Sequence, residues 1–321
     1  MKKVLLATAV AALSISAAQA APQVYGKAFL TLDYQDFGDE SKTALNSTGS
    51  KVGFKGAEAL TNNTDLVYQL EYGVDVDSNA KTQFRSRDTY LGLSNKQYGT
   101  ALAGRLTAID DMVNYANVTA GGVLGGDDVL ASVSAPRADN AVAYVSPNYN
   151  GFNALAMYAL DSDQDKANDD LAKLGLSNYD KYGVGFQYEP TNQPYRLGAT
   201  YIGIGSDLVK DFRISGSYDI NPALTVGALY QMLDIDGAAE KENAFALSGT
   251  YKTATPWTAY GQLDLVQNQG GAKDADDVTR VVVGGKYGFN KATTGHVYAA
   301  AIDDGSDDTQ FGVGTGIEYK F

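Results

Sequence analysis

The amino-acid sequence predicts an all-β fold, a transmembrane antiparallel barrel of sixteen strands. Three observations carry this. Apolar and polar residues alternate over segments of about ten residues. The connections between those segments are alternately short and long. Beyond residue 20, no stretch is apolar for the ~20 residues that a spanning helix needs, so a membrane-embedded form can only be a closed barrel.

The alternation is clearest where Leu66, Tyr68, Leu70, Tyr72, Val74 and Val76 share one face and Asp65, Gln69, Glu71, Asp75 and Asp77 the other, as side chains of a strand point to opposite sides in turn. The same split recurs at Tyr182, Val184, Phe186 and Tyr188. It recurs again at Phe212, Ile214, Gly216 and Tyr218, opposed by Arg213, Ser215, Ser217 and Asp219. A soluble sandwich would show such strands too, with the apolar face as its core. The connections separate the two cases. Short links at Asn62-Asn63, Asn95-Lys96-Gln97, Pro147-Asn148, Pro190 to Pro194, Asn221-Pro222, Thr253 to Pro256 and Asn290-Lys291 alternate with longer, mostly acidic ones. The longer ones span 38–49, 79–83, 107–136, 162–178, 204–210, 235–241, 268–276 and 303–308. Seven short and eight long connections join sixteen strands, the pattern of an outer-membrane barrel with short periplasmic turns and longer external loops. Five of the seven prolines fall in the short links, where no ladder hydrogen bond is lost.

Residues 1–20 read as a cleavable secretory leader: Lys2 and Lys3, the apolar run Val4 to Ile15, then the small-residue site Ala18-Gln19-Ala20. Residues 21–321 form one domain. Taking Lys2 and Lys3 from the 25 basic residues leaves 23 against 38 acidic ones, a net charge of −15. Nucleic acid is thereby excluded as a partner, since phosphate binding needs concentrated positive charge. With no cysteine in the chain, stability has to come from strand pairing and burial rather than disulfides.

Tyr34, Tyr98, Tyr188, Tyr195, Tyr218, Tyr251, Tyr287 and Tyr319 sit near segment ends, as rings in two interfacial girdles would. The general preference of aromatic residues for strands accounts for their number equally well. The last segment alternates without a break, Phe311, Val313, Thr315, Ile317, Tyr319 and Phe321 against Gln310, Gly312, Gly314, Gly316, Glu318 and Lys320, and stops on an aromatic residue.

Read in order, Val24-Tyr-Gly-Lys27, Ser50-Lys-Val-Gly-Phe-Lys-Gly-Ala-Glu58, Tyr68-Gln-Leu-Glu-Tyr72, Arg87 to Leu93, Gly104-Arg105, Arg137-Ala-Asp-Asn140 and the terminal Tyr-Lys-Phe resemble the general diffusion porins of Gram-negative outer membranes. The resemblance implies a homotrimer of sixteen-stranded barrels, embedded in outer-membrane lipid and lipopolysaccharide. It further implies that small hydrophilic solutes and ions pass, and that a long third loop folded into the lumen narrows it. It places a basic row at the constriction on Lys27, Lys51, Arg87 and Arg137, with Lys55 and Arg105 nearby and Glu71 among them. It also makes Tyr319 and Phe321 the signal read by the assembly machinery.

Lys27 shares its face with Thr31 and Asp33, and Lys51 and Lys55 alternate with Val52 and Phe54. These charges therefore point to water inside a barrel, because a midplane Lys or Arg facing lipid costs ~2–4 kcal/mol. The connection from Thr107 to Pro136 is longer than unstructured loops usually are, so it is functional or packed against something. Family members often carry an acid before the second glycine pair, but here Val123-Leu124 precedes Gly125-Gly126. Asp110, Asp111, Asp127 and Asp128, with Glu71, are the candidates for the acidic side.

Nothing in the sequence points to an enzyme, a cofactor or a metal site. The single histidine, His296, lies beside a turn and there is no cysteine, so no base–nucleophile pair is evident. Asp303-Asp-Gly-Ser-Asp-Asp308 lacks the spacing and terminal glutamate of a calcium loop. A substrate-selective channel and a barrel serving mainly as a surface adhesin or receptor remain alternatives to passive diffusion.

Overall fold

The computed structural model describes residues 22–77, 83–126, 130–132, 137–160, 180–273, 275–305 and 308–321. The expected leader, Asp127, Asp128 and the connection 162–178 lie outside them. The strand segments are β1 (Gln23–Asp36), β2 (Ser41–Ser47), β3 (Lys51–Ala59), β4 (Thr64–Val74), β5 (Phe84–Asn95), β6 (Gly99–Thr107), β7 (Arg137–Val145) and β8 (Phe152–Ala159). The second half comprises β9 (Lys181–Tyr188), β10 (Tyr195–Ile204), β11 (Val209–Asp219), β12 (Leu224–Ile235), β13 (Glu242–Lys252), β14 (Trp257–Gln267), β15 (Val278–Gly288), β16 (Thr293–Asp303) and β17 (Gln310–Lys320).

Every neighbouring pair is antiparallel, and β1 meets β17, which closes the sheet into a barrel without a free edge. Both β2 and β3 pair with β1, β2 with its Leu30–Asp36 half and β3 with Gln23–Lys27. They are two halves of one crossing, so seventeen segments make sixteen strands. The sequence placed residues 38–49 in a loop. Ser41–Ser47 instead extends the crossing, because Leu45 and Asn46 continue the apolar–polar alternation and Asn46 reaches the Asp33 carboxylate at 2.6 Å. The break falls at Gly49, whose φ of +61° suits glycine. Across it, the Ser50 hydroxyl takes the Phe29 N–H at 2.9 Å that the interrupted ladder would leave unmet.

The barrel inverts the usual arrangement of a globular protein. Leu263, Val281, Val283 and Val297 lie exposed on the outside, while their strand neighbours Gln262, Asp264, Arg280 and His296 are buried within. Among the described residues no helix is long and apolar enough to cross a membrane, so strands alone make the crossing. Aromatic rings cluster at both rims. At the short-turn end Tyr188 meets Tyr195, Trp257 meets Tyr287 and Tyr319 meets Phe321; at the other, Tyr34 meets Phe311 and Tyr72 meets Phe84. The last residue seals the seam: Phe321 exchanges backbone hydrogen bonds with Gly26 at 3.0 and 3.1 Å. Its ring fills the space that a Cβ at Gly26 would need.

Candidate functional site

The inner wall made by β1, β3 and β5 gathers three of the expected cations. The β1–β3 register sets Lys27 opposite Lys51, and a bulge in β5, facing Leu70–Tyr72, turns Arg87 toward Glu71. Lys51 Nζ lies 2.8 Å from Glu71 Oε2, Arg87 Nε donates to Oε1 at 2.7 Å, and the Tyr25 hydroxyl donates to Oε2 at 3.0 Å. Glu71 is only 2% exposed. It therefore sits inside the basic wall and fixes two of its cations, rather than facing them across the lumen. Lys27 Nζ is 3.8 Å from Glu318 Oε2, and the Lys55 ammonium lies over the Tyr25 ring, 5.1 Å from its centre.

Arg137 adjoins this group through Asp88, the residue next to Arg87 on the bulge, to which it donates at 2.9 Å. Arg105 is not brought into the row. It lies in register with Thr89, on the face that carries exposed Leu91 and Leu93, and its guanidinium meets Asp139. Lys320, opposite Lys27 on β17, and Lys286 on β15 also belong to the inner face. The alternation of the sequence holds the signal for both, since each shares its parity with inward neighbours, Glu318 and Arg280.

The segment after β6 follows the remaining inner wall. Its short helix α1 (Ile109–Met112) packs with Val113 against Val145 and Leu155. Tyr115 N–H then donates to Ser215 on β11 at 2.9 Å and Val118 N–H to Gln262 on β14 at 3.1 Å. The Lys286 ammonium donates to the Val118 carbonyl at 2.9 Å and the Tyr260 hydroxyl to that of Ala120 at 3.3 Å. Val123 is buried among Tyr260, Val282, Tyr298 and Ala300, and Leu124 N–H reaches Gln35 on β1 at 2.9 Å. Most of these bonds join the segment's own backbone to wall side chains. Its path therefore depends on the wall's residues, which alternate with exposed apolar ones and so face inward.

This path disposes of the acids. Asp110 is 3% exposed, with Oδ2 3.4 Å from Arg213 Nη2, whereas Asp111 lies on the exposed side of α1. Burial first and then the Glu189 charge push the Tyr115 hydroxyl far above the ordinary tyrosine range. Val123 and Leu124 serve the apolar contact, not an acidic one.

A closed barrel with an apolar belt, a charged interior and a segment laid along its inner wall defines a channel-forming outer-membrane protein. The chain belongs to the Gram-negative porin family, whose profile matches residues 6–308. It is 30% identical to the major outer membrane protein P.IB of Neisseria lactamica, over 95% of this chain and 94% of that one. Its fold matches the anion-selective porin from Comamonas acidovorans with a TM-score of 0.73 at 19% identity, covering 94% and 99% of the two chains. The trimer form of OmpT from Vibrio cholerae matches with a TM-score of 0.69 at 18% identity, covering 94% and 99%. The protein is thus an outer-membrane porin, a channel and not an enzyme.

Proposed function

We propose that this porin is a homotrimer of passive diffusion pores for small hydrophilic solutes and ions, each narrowed by the segment 108–126 and favouring anions at its narrowest point. One observation carries the charge preference. The wall holds Lys27, Lys51, Lys55, Arg87 and Lys320 against the carboxylates of Glu71 and Glu318. The described part of the segment carries Asp111 on its exposed side, beside the uncharged Asn114, Asn117 and Thr119. A row of charge of one sign tunes which ions pass without any chemistry. The names of two neighbours, an anion-selective porin and a trimer form, support the same reading.

Conductance in planar bilayers with a potassium chloride gradient tests it. We expect stepwise openings and a reversal potential on the anion side; a cation-side value overturns the preference. Saturable, competitor-blocked flux would favour a substrate-selective channel, and an absence of conductance a receptor or adhesin. The size of the detergent-extracted assembly tests the trimer. A mature mass beginning at Ala21 tests the leader, which ends at Ala20. We further assign the Tyr319 and Phe321 end to recognition by the assembly machinery, and the external acidic loops to contact with lipopolysaccharide.

A further inference from the structure

Arg213 and Arg280 lie on the inner face of the barrel, yet each is only 1% exposed. Arg213 donates from Nη1 to the Asp110 carbonyl at 2.8 Å and from Nε to Gln231 Oε1 at 2.9 Å, holding the base of the segment that follows β6. Arg280 holds its tip. Nε and Nη2 donate to Asp264 Oδ2 at 3.1 and 3.0 Å, and Nη1 donates to the carbonyl of Gly125 and, at 3.4 Å, to that of Leu124.

We propose that Arg280, backed by Asp264, is a positioning residue: a latch that holds the tip of the segment against β15 and thereby sets the calibre of the channel. This rests on the reading that the segment narrows the lumen. The tip has the backbone of a held element. Leu124 and Gly125 are successive left-handed residues, with φ of +50° and +64°, so their carbonyls point the same way and meet one guanidinium. A leucine keeps that conformation only where its surroundings impose it. Here the Arg280 fork grips it from β15, Gln35 grips its N–H from β1, and Val123 is buried beside it. A guanidinium suits this task because its planar fork holds a carboxylate and two carbonyls at fixed angles, whereas the three donors of an ammonium turn freely on a flexible stem. Asp264 is itself buried and is steadied by Gln262 Nε2 at 2.9 Å. The pair is neutral as a unit, so its role is placement and not selectivity.

The test is the double variant Arg280→Met with Asp264→Asn in the full-length channel, which removes the latch without changing net charge. We expect a higher or fluctuating single-channel conductance and an unmoved reversal potential. A disulfide between Val123→Cys and Gly312→Cys supplies the rescue. A Cβ at Gly312 would lie 3.1 Å from that of Val123, under the ~3.5–4.5 Å that a disulfide spans, so a small outward shift of the segment seats the bond, and the chain has no other cysteine. In the latch-free background, oxidation should restore the wild-type current and reduction abolish that restoration. Deletion of 121–126 is the reference. If deletion raises conductance while the double variant keeps a steady wild-type current, the latch is refuted and the constriction stands; if deletion changes nothing, the constriction itself fails and the latch with it. Should the double variant not insert, Arg280→Lys keeps the charge but gives up the fork. The same rise is then expected, and a steady wild-type current overturns the proposal.

Discussion

Replacing Lys51 and Arg87 together by glutamine removes two cations while leaving the carboxylate of Glu71 between them. The local charge of this trio moves from +1 to −1. An ion passing roughly 5 Å from the wall feels ~0.8 kcal/mol per unit charge in water. An ~8 Å Debye length reduces this to ~0.4 kcal/mol. Two units change each ion's energy by ~0.9 kcal/mol, in opposite directions for anion and cation, so the permeability ratio shifts by ~20-fold toward cations. The reversal potential in a salt gradient reads this directly. Adding Glu71→Gln brings the trio to zero, so the triple variant should shift by only about the square root of that factor, ~4-fold. The triple also spares the barrel a buried carboxylate that has lost both its cations and keeps the Tyr25 hydroxyl at 3.0 Å, a defect of the kind that costs several kcal/mol. An unmoved reversal potential in an inserted double variant, or equal shifts in double and triple, would refute the reasoning.

Three further outcomes follow from the fold. Asp33→Ala orphans donors from Thr31, Asn46 and Tyr298, each at 2.6 Å; a loss of ~1–3 kcal/mol should appear in urea unfolding of the detergent-solubilised barrel. Val283→Arg puts a charge on the exposed outer face near the middle of β15. It should cost ~2–4 kcal/mol in lipid, measured by reversible folding into vesicles, and an unchanged stability would contradict the assignment of that face. Gly26→Val denies the Phe321 ring its seat, so less folded barrel should reach the outer membrane, as scored by gel mobility with and without heating.

The sequence by itself determined the strand number and the two faces of the wall. A strand between lipid and water must alternate residue by residue, and each short turn leaves its own Asn or Pro mark, so this information is local. It identified Lys27, Lys51, Lys55 and Glu71 as inward for the same reason. Only the tertiary structure decided what the charges do. Bulges in β5, and between β6 and β7 near Arg105, reset the parity on which face assignments depend. They bring Arg87 to Glu71, while Arg105 stays out of the row. The path of the segment after β6 was equally illegible, because it is fixed by contacts such as Arg280 with Leu124, 156 residues apart. Pairings at that range follow from the closure of the barrel, which brings distant strands around one lumen, and no local pattern encodes them.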